Sequence, residues 1–81
     1  MTVRVLLFGP LTDIAGAGPH FLQLSATTTV QQVLDAVYEK WPALRAHDAS
    51  LLVAVNLAYA RRDEIIPPDA EVALMPPVQG G

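Results

Sequence analysis

Cysteine is absent from this 81-residue chain, which excludes disulfides, thiolate metal sites and a cysteine nucleophile together. If the protein handles sulfur, that sulfur does not ride on a side-chain thiol. Long apolar runs are also missing: none approaches the roughly 18 residues of a membrane span, and the first residues carry no secretory pattern. The expected setting is the cytoplasm, with no membrane partner. Positive charge is scarce, with five Lys and Arg against eight Asp and Glu and a net charge of −3. Nucleic acid is not an expected partner, because phosphate binding needs a basic footprint.

Catalytic groupings are lacking as well. His20 and His47 are the only histidines, far apart and without a third ligand at metal spacing, so no metal site is expected. His47-Asp48-Ala49-Ser50 contains the residue types of a hydrolase triad, but triads are assembled in space around an oxyanion hole and not from neighbours in sequence. No glycine-rich loop precedes a helix in the phosphate-binding pattern, so the chain itself is expected to bind no nucleotide or other cofactor. Arg61-Arg62 reads as a solvated turn.

What is present is a hydrophobic fraction of 52%, enough for one small domain with an efficient core. Thr2 to Phe8 reads as a strand, with Val3, Val5 and Leu7 on one face and Leu6 and Phe8 making the other apolar. Gly9-Pro10 breaks it, and Leu11 to Gly18 is a long connection with one turn of helical spacing at Leu11, Ile14 and Ala15. His20 to Ser25 is a second strand. Val30, Val33, Leu34, Val37, Tyr38 and Trp41 recur at helical spacing, opened by a Thr29/Gln32 capping box and closed by Pro42. Ala43 to Ser50 reads as an irregular crossing, Leu51 to Asn56 as a third strand, Leu57 to Ala60 as a short extra strand, and Glu71 to Met75 as the last. One helix with one apolar face needs a sheet to cover. The simplest packing is therefore an α+β, β-grasp arrangement of residues 1–75: a mixed sheet of four to five strands, with the first and last strands adjacent and parallel at its centre.

The chain then ends in Pro76-Pro77-Val78-Gln79-Gly80-Gly81. Two prolines stop a sheet ladder and hold the backbone extended, and two glycines strip side chains from the tip. Fully stretched at about 3.3 Å per residue, residues 76–81 form a flexible tail reaching roughly 20 Å. Its one reactive group is the α-carboxylate of Gly81, ionised at neutral pH. Asp63, Glu64, Asp69 and Glu71 place half of the chain's acids near this tail, a surface that solvates the domain or steers the tail toward basic partners.

These features together resemble the MoaD/ThiS family of ubiquitin-like sulfur carriers, and most closely the small subunits of molybdopterin synthase. The resemblance runs over essentially the whole chain, through the Val3-Arg4-Val5-Leu6-Leu7-Phe8-Gly9 strand, the helix, Ala54-Val55-Asn56, and Asp69 through Met75 into Pro76-Pro77-Val78-Gln79-Gly80-Gly81. It implies a ubiquitin-like fold and a sulfur-donating subunit without catalytic residues of its own. It further implies that an E1-like adenylating enzyme, using ATP and magnesium, activates the Gly81 carboxylate. A sulfur donor protein then displaces AMP to leave a thiocarboxylate. That thiocarboxylate, inserted into the large subunit of molybdopterin synthase, would donate sulfur to cyclic pyranopterin monophosphate in molybdenum cofactor biosynthesis. Leu57, Tyr59, Leu74 and Met75 are the apolar candidates for the partner surface. Two departures stand out: Leu74 and Met75 occupy positions where the family often has aromatics, and no glycine follows Asn56. A carrier for thiamine or cysteine synthesis, and a ubiquitin-like modifier forming isopeptide bonds, are the alternatives.

Overall fold

The computed structural model describes residues 1–77. The alternation of apolar residues in β1 (Thr2–Leu7) and β5 (Glu71–Met75) turns Val3, Val5, Leu7, Val72 and Leu74 to one side, where all five are buried. A short helical passage follows β1, as a 3₁₀ turn at Gly9–Leu11 and helix α1 at Thr12–Ala15; Leu11 plugs it into the core. β2 (His20–Gln23) returns antiparallel to β1, with Val3 opposite Leu22. β3 (Leu52–Val55) and β4 (Ala58–Tyr59) complete a five-stranded sheet in the order β2-β1-β5-β3-β4. β1 and β5 run parallel, with Val5 opposite Val72 and Leu7 opposite Leu74, and the other pairings are antiparallel.

Helix α2 (Val30–Lys40) covers one face of this sheet. Its stripe of Val30, Val33, Leu34, Val37 and Tyr38 is buried against the inward side chains of the strands. Burial of each such side chain contributes about 1.5–3 kcal/mol. The N-terminal donors that a helix leaves open are all accounted for. The Thr29 hydroxyl accepts from Gln32 N–H, and the Gln32 side chain accepts from Thr29 N–H. Val30 and Gln31 donate to the carbonyls of Glu64 and Arg62, tying α2 to the loop before β5. Trp41 ends the helix and packs edge-on to the His20 ring at 4.6 Å between centroids.

Several boundaries differ from the sequence expectation. β1, β2 and β3 are each shorter, and the extra strand contracts to Ala58–Tyr59. The crossing is not irregular: Pro42–Ser50 forms 3₁₀ turns that bury Leu44. Nor is Arg62 merely part of a solvated turn. Its guanidinium donates to the Asp48 carboxylate at 2.7 Å and to the Asp48 carbonyl at 2.5 Å, while the Tyr38 hydroxyl donates to the same carboxylate at 2.5 Å. Asp48 therefore joins α2, the 3₁₀ segment and the loop ahead of β5, which explains it without any triad. Arg45 lies 5.0 Å over the Tyr38 ring.

This network is expected to contribute at both ends of the stability profile. The Tyr38 hydrogen bond, then the Arg62 guanidinium, hold Asp48 below the usual carboxylate range. Its contribution is thus complete above the unfolded carboxylate value of about 4 and is lost as the pH falls through the lower folded value. Burial first, and then Asp48, hold the Tyr38 phenol well above the ordinary tyrosine range. That contribution is complete below about pH 10 and fades as the pH rises toward the folded value. Melting temperature measured against pH is expected to fall at both extremes; Asp48→Asn makes the acid fall shallower and Tyr38→Phe the alkaline one. Unchanged slopes in both variants would show the network to be energetically idle.

Candidate functional site

One face of the sheet carries α2; the strand residues between the buried ones form the other. Register places Leu6 beside Ala73, Ala73 beside Ala54, Met75 beside Leu52, and Ala54 beside Tyr59. With Phe8 at the end of β1, these residues make that half of the face apolar. The opposite half is more polar, with Arg4 paired to Glu71 and Gln23 donating to the Thr2 hydroxyl at 2.7 Å, although it also carries Phe21, opposite Arg4 and 58% exposed. The divide is a property of the sequence: β1 and β5 both begin with a charged or polar outward residue and end with an apolar one.

The apolar half surrounds the point where the chain leaves the sheet. β5 ends at Met75, and Pro76 follows directly. A shallow hollow of about 300 Å³ lies beside this exit, lined by Phe8, Ala54, Leu57, Tyr59, Glu71, Ala73 and Met75. Phe8 is 45% exposed, Tyr59 72% and Leu57 91%. Such a group of exposed large apolar side chains marks an interaction surface more often than chance placement does. Phe8 and Leu52 were not singled out from sequence as surface candidates; the signal available was the apolar second face of β1, which suggested only a central strand.

The foot of the tail is fixed by backbone contacts. Phe8 N–H donates to the Leu74 carbonyl at 3.2 Å. Gly9 then takes a positive φ of 60° and lies against Pro76; a β-carbon there would come within 3.0 Å of the Pro76 ring. Glycine at this position lets β1 turn away without pushing the tail aside.

Of the expected site residues, Leu57, Tyr59 and Met75 come together at the hollow. Leu74 does not. It is 0% exposed and points into the core against α2, because it shares the parity of Val72 on β5 whereas Met75 shares that of Ala73. Pro76 is half-buried and Pro77 exposed at the foot of the tail; Val78, Gln79, Gly80 and Gly81 lie outside the described residues. Among the described residues there is no cluster of metal-ligating side chains, and no helix is long and apolar enough to cross a membrane.

The turn between β3 and β4 is unusual. Asn56 and Leu57 both have positive φ, 49° and 71°, as a two-residue hairpin turn of this hand requires. Asparagine tolerates this, and its side-chain oxygen accepts from Glu71 N–H at 3.0 Å. Leucine carries a cost of about 1 kcal/mol in the left-handed region.

Comparison with known proteins identifies relatives along the full length. The ThiS family model matches residues 5–81. The molybdopterin synthase sulfur carrier subunit of Mycobacterium tuberculosis is 31% identical over 80 residues, covering 98% of this chain and 96% of that one. The crystal structure of Haloferax volcanii small archaeal modifier protein 1 superposes with a TM-score of 0.84 at 28% identity, over 95% of this chain and 98% of that one. Subunit chains in the complex of subunits 1 and 2 of the Helicobacter pylori molybdopterin-converting factor share the fold, with a TM-score of 0.70 at 23% identity over 100% of both chains.

Proposed function

The chain belongs to the ThiS family, and we propose that it is the sulfur-carrier small subunit of a molybdopterin synthase. The observation that carries this reading is the exit of the tail. A central strand held on both sides, by β1 and β3, ends in Pro76-Pro77 beside an exposed apolar hollow. A rigid strand gives the tail a fixed origin, and the hollow supplies a surface for a partner that swallows it.

The chemistry follows from a carboxylate being a poor electrophile. An E1-like partner with ATP and magnesium converts the Gly81 carboxylate to an acyl-adenylate, with pyrophosphate as the leaving group. The terminal sulfur of a donor protein's persulfide attacks the acyl carbon and AMP leaves. A second thiol then cleaves the S–S bond of the resulting acyl disulfide, releasing the thiocarboxylate and leaving the donor sulfur in a disulfide. In the large synthase subunit this sulfur is the nucleophile that supplies one of the two dithiolene sulfurs on cyclic pyranopterin monophosphate, and a second loaded carrier supplies the other. This chain contributes position: Pro76 and Pro77 limit the entropy lost on threading, and Gly80 and Gly81 keep the tip slim enough for a narrow channel.

Intact mass after incubation with the adenylating enzyme, ATP and a sulfur source tests the reading. The expected shift is that of one oxygen replaced by sulfur, mapped to Gly81. An unmodified mass, with an enzyme proven on another carrier, would overturn it. The likeness to small archaeal modifier protein 1 favours a second reading, a protein modifier; lysine-linked adducts in cell lysate that end in Gly81 would support that one.

A further inference from the structure

Activation of Gly81, which both readings above require, creates an acyl group that a free amine within reach consumes. The chain is almost without such amines. Lys40 is its only lysine, against four arginines, and a guanidinium stays protonated and is no nucleophile. The Met1 ammonium is the other amine. It is half-buried and donates to the Leu24 carbonyl at 2.6 Å, while Leu24 N–H donates back to the Met1 carbonyl, so pairing with the end of β2 holds it. Cysteine is absent, and hydroxyls are weak nucleophiles unless a neighbouring base activates them.

Lys40 is under no such restraint. It is exposed at the last position of α2, its ammonium 5.1 Å over the Trp41 ring, and it joins none of the ion pairs among the described residues. A positive charge suits the end of a helix, but arginine would supply it and would stack on Trp41 as well. What lysine adds is an amine that can be acylated. It also stands on the α2 side of the sheet, away from the apolar hollow, so a copy engaged through its open face still presents it. Its own tail is poorly placed to reach it. Trp41 packs on His20 of β2, so the end of α2 lies over a strand two places from β5, about 10 Å across the sheet and about 10 Å above it. The four residues after Pro77 span only about 13 Å at full stretch.

We propose that Lys40 is the acceptor site at which a second copy of this chain is joined through Gly81, when the adenylate meets no sulfur. The proposal rests on the activation of Gly81 described above. The Lys40 Nζ, having released a proton to solvent, attacks the acyl carbon of the adenylate. A C–N bond forms, the acyl C–O bond to phosphate breaks, AMP leaves with the electron pair, and a second amine proton passes to solvent. No oxidant or reductant takes part. The donor persulfide competes for the same carbon, so coupling rises as sulfur supply falls.

The test incubates the full chain with the adenylating enzyme, ATP and magnesium, without and with the sulfur donor, and reads intact mass. Without the donor the expected product is a covalent dimer, lighter by one water than two chains, with Gly81 mapped to the Lys40 side chain. Lys40→Arg is expected to lose the dimer while forming the thiocarboxylate at the wild-type rate. Mixed with a chain lacking Gly80 and Gly81, which supplies only the amine, Lys40→Arg is expected to regain it as a mixed dimer. A dimer that persists in Lys40→Arg alone would overturn Lys40 as the acceptor. A monomer lighter by one water would overturn the second copy. Wild type that supports ATP–pyrophosphate exchange yet stays monomeric would overturn the proposal and leave the carrier reading intact. No exchange, with an enzyme proven on another carrier, would overturn both.

Discussion

Gly81→Ala is expected to leave the melting temperature at the wild-type value and to slow sulfur transfer at least a hundredfold. The fold is expected to be indifferent because, among the described residues, the buried cluster ends at Leu74. The reaction is not, because the reacting carbonyl belongs to this residue. A β-carbon beside it narrows the approach for both adenylation and attack and restricts the backbone of the tip. Misplacement of a reacting atom by about 1 Å costs on the order of a hundredfold in rate. Single-turnover assays with chemically prepared thiocarboxylate separate the two steps, since a defect in transfer persists there and a defect confined to adenylation disappears. Normal synthase turnover by the alanine variant would refute the requirement for a glycine without a β-carbon at the tip.

The neighbouring pair Leu74 and Met75 is expected to separate stability from recognition. Leu74→Ala removes a fully buried side chain between β1, β3 and α2, and partial collapse around the gap leaves a cost of about 3 kcal/mol. In a domain of this size that lowers the melting temperature by about 12 °C or more. Met75→Ser truncates a half-buried side chain on the open face at the foot of the tail. It is expected to melt within a few degrees of wild type and to bind the large subunit several-fold more weakly. Thermal unfolding by circular dichroism and calorimetric titration distinguish the two. Equal melting temperatures for Leu74→Ala and wild type would contradict the packing described for β5.

Much of this was legible in the chain itself. The helix announced itself because Val30, Val33, Leu34, Val37 and Tyr38 follow the 3.6-residue period and Thr29 and Gln32 close a capping box, both local properties. The central place of β1 was legible because Leu6 and Phe8 make its second face apolar toward the end, and its parallel pairing with β5 followed from the simplest packing of one helix on one sheet. The tail is legible because proline and glycine act through their own backbones and need no neighbours. Period-two alternation even divided Val72 and Leu74 from Ala73 and Met75.

Tertiary structure decided which of those faces is covered. Alternation is symmetric, so Leu74 and Met75 look alike until α2 is placed on one side. The same holds for Phe8 and Leu52, which join the open face only through register with β5 and β3. Arg62 and Asp48 are distant in sequence, and only folding makes their ion pair. The positive φ of Leu57 is likewise imposed by closure of the β3–β4 hairpin, against the preference of the residue itself. Local chemistry determined the helix, the strands and the tail; long-range packing determined which side chains remain outside to meet another protein.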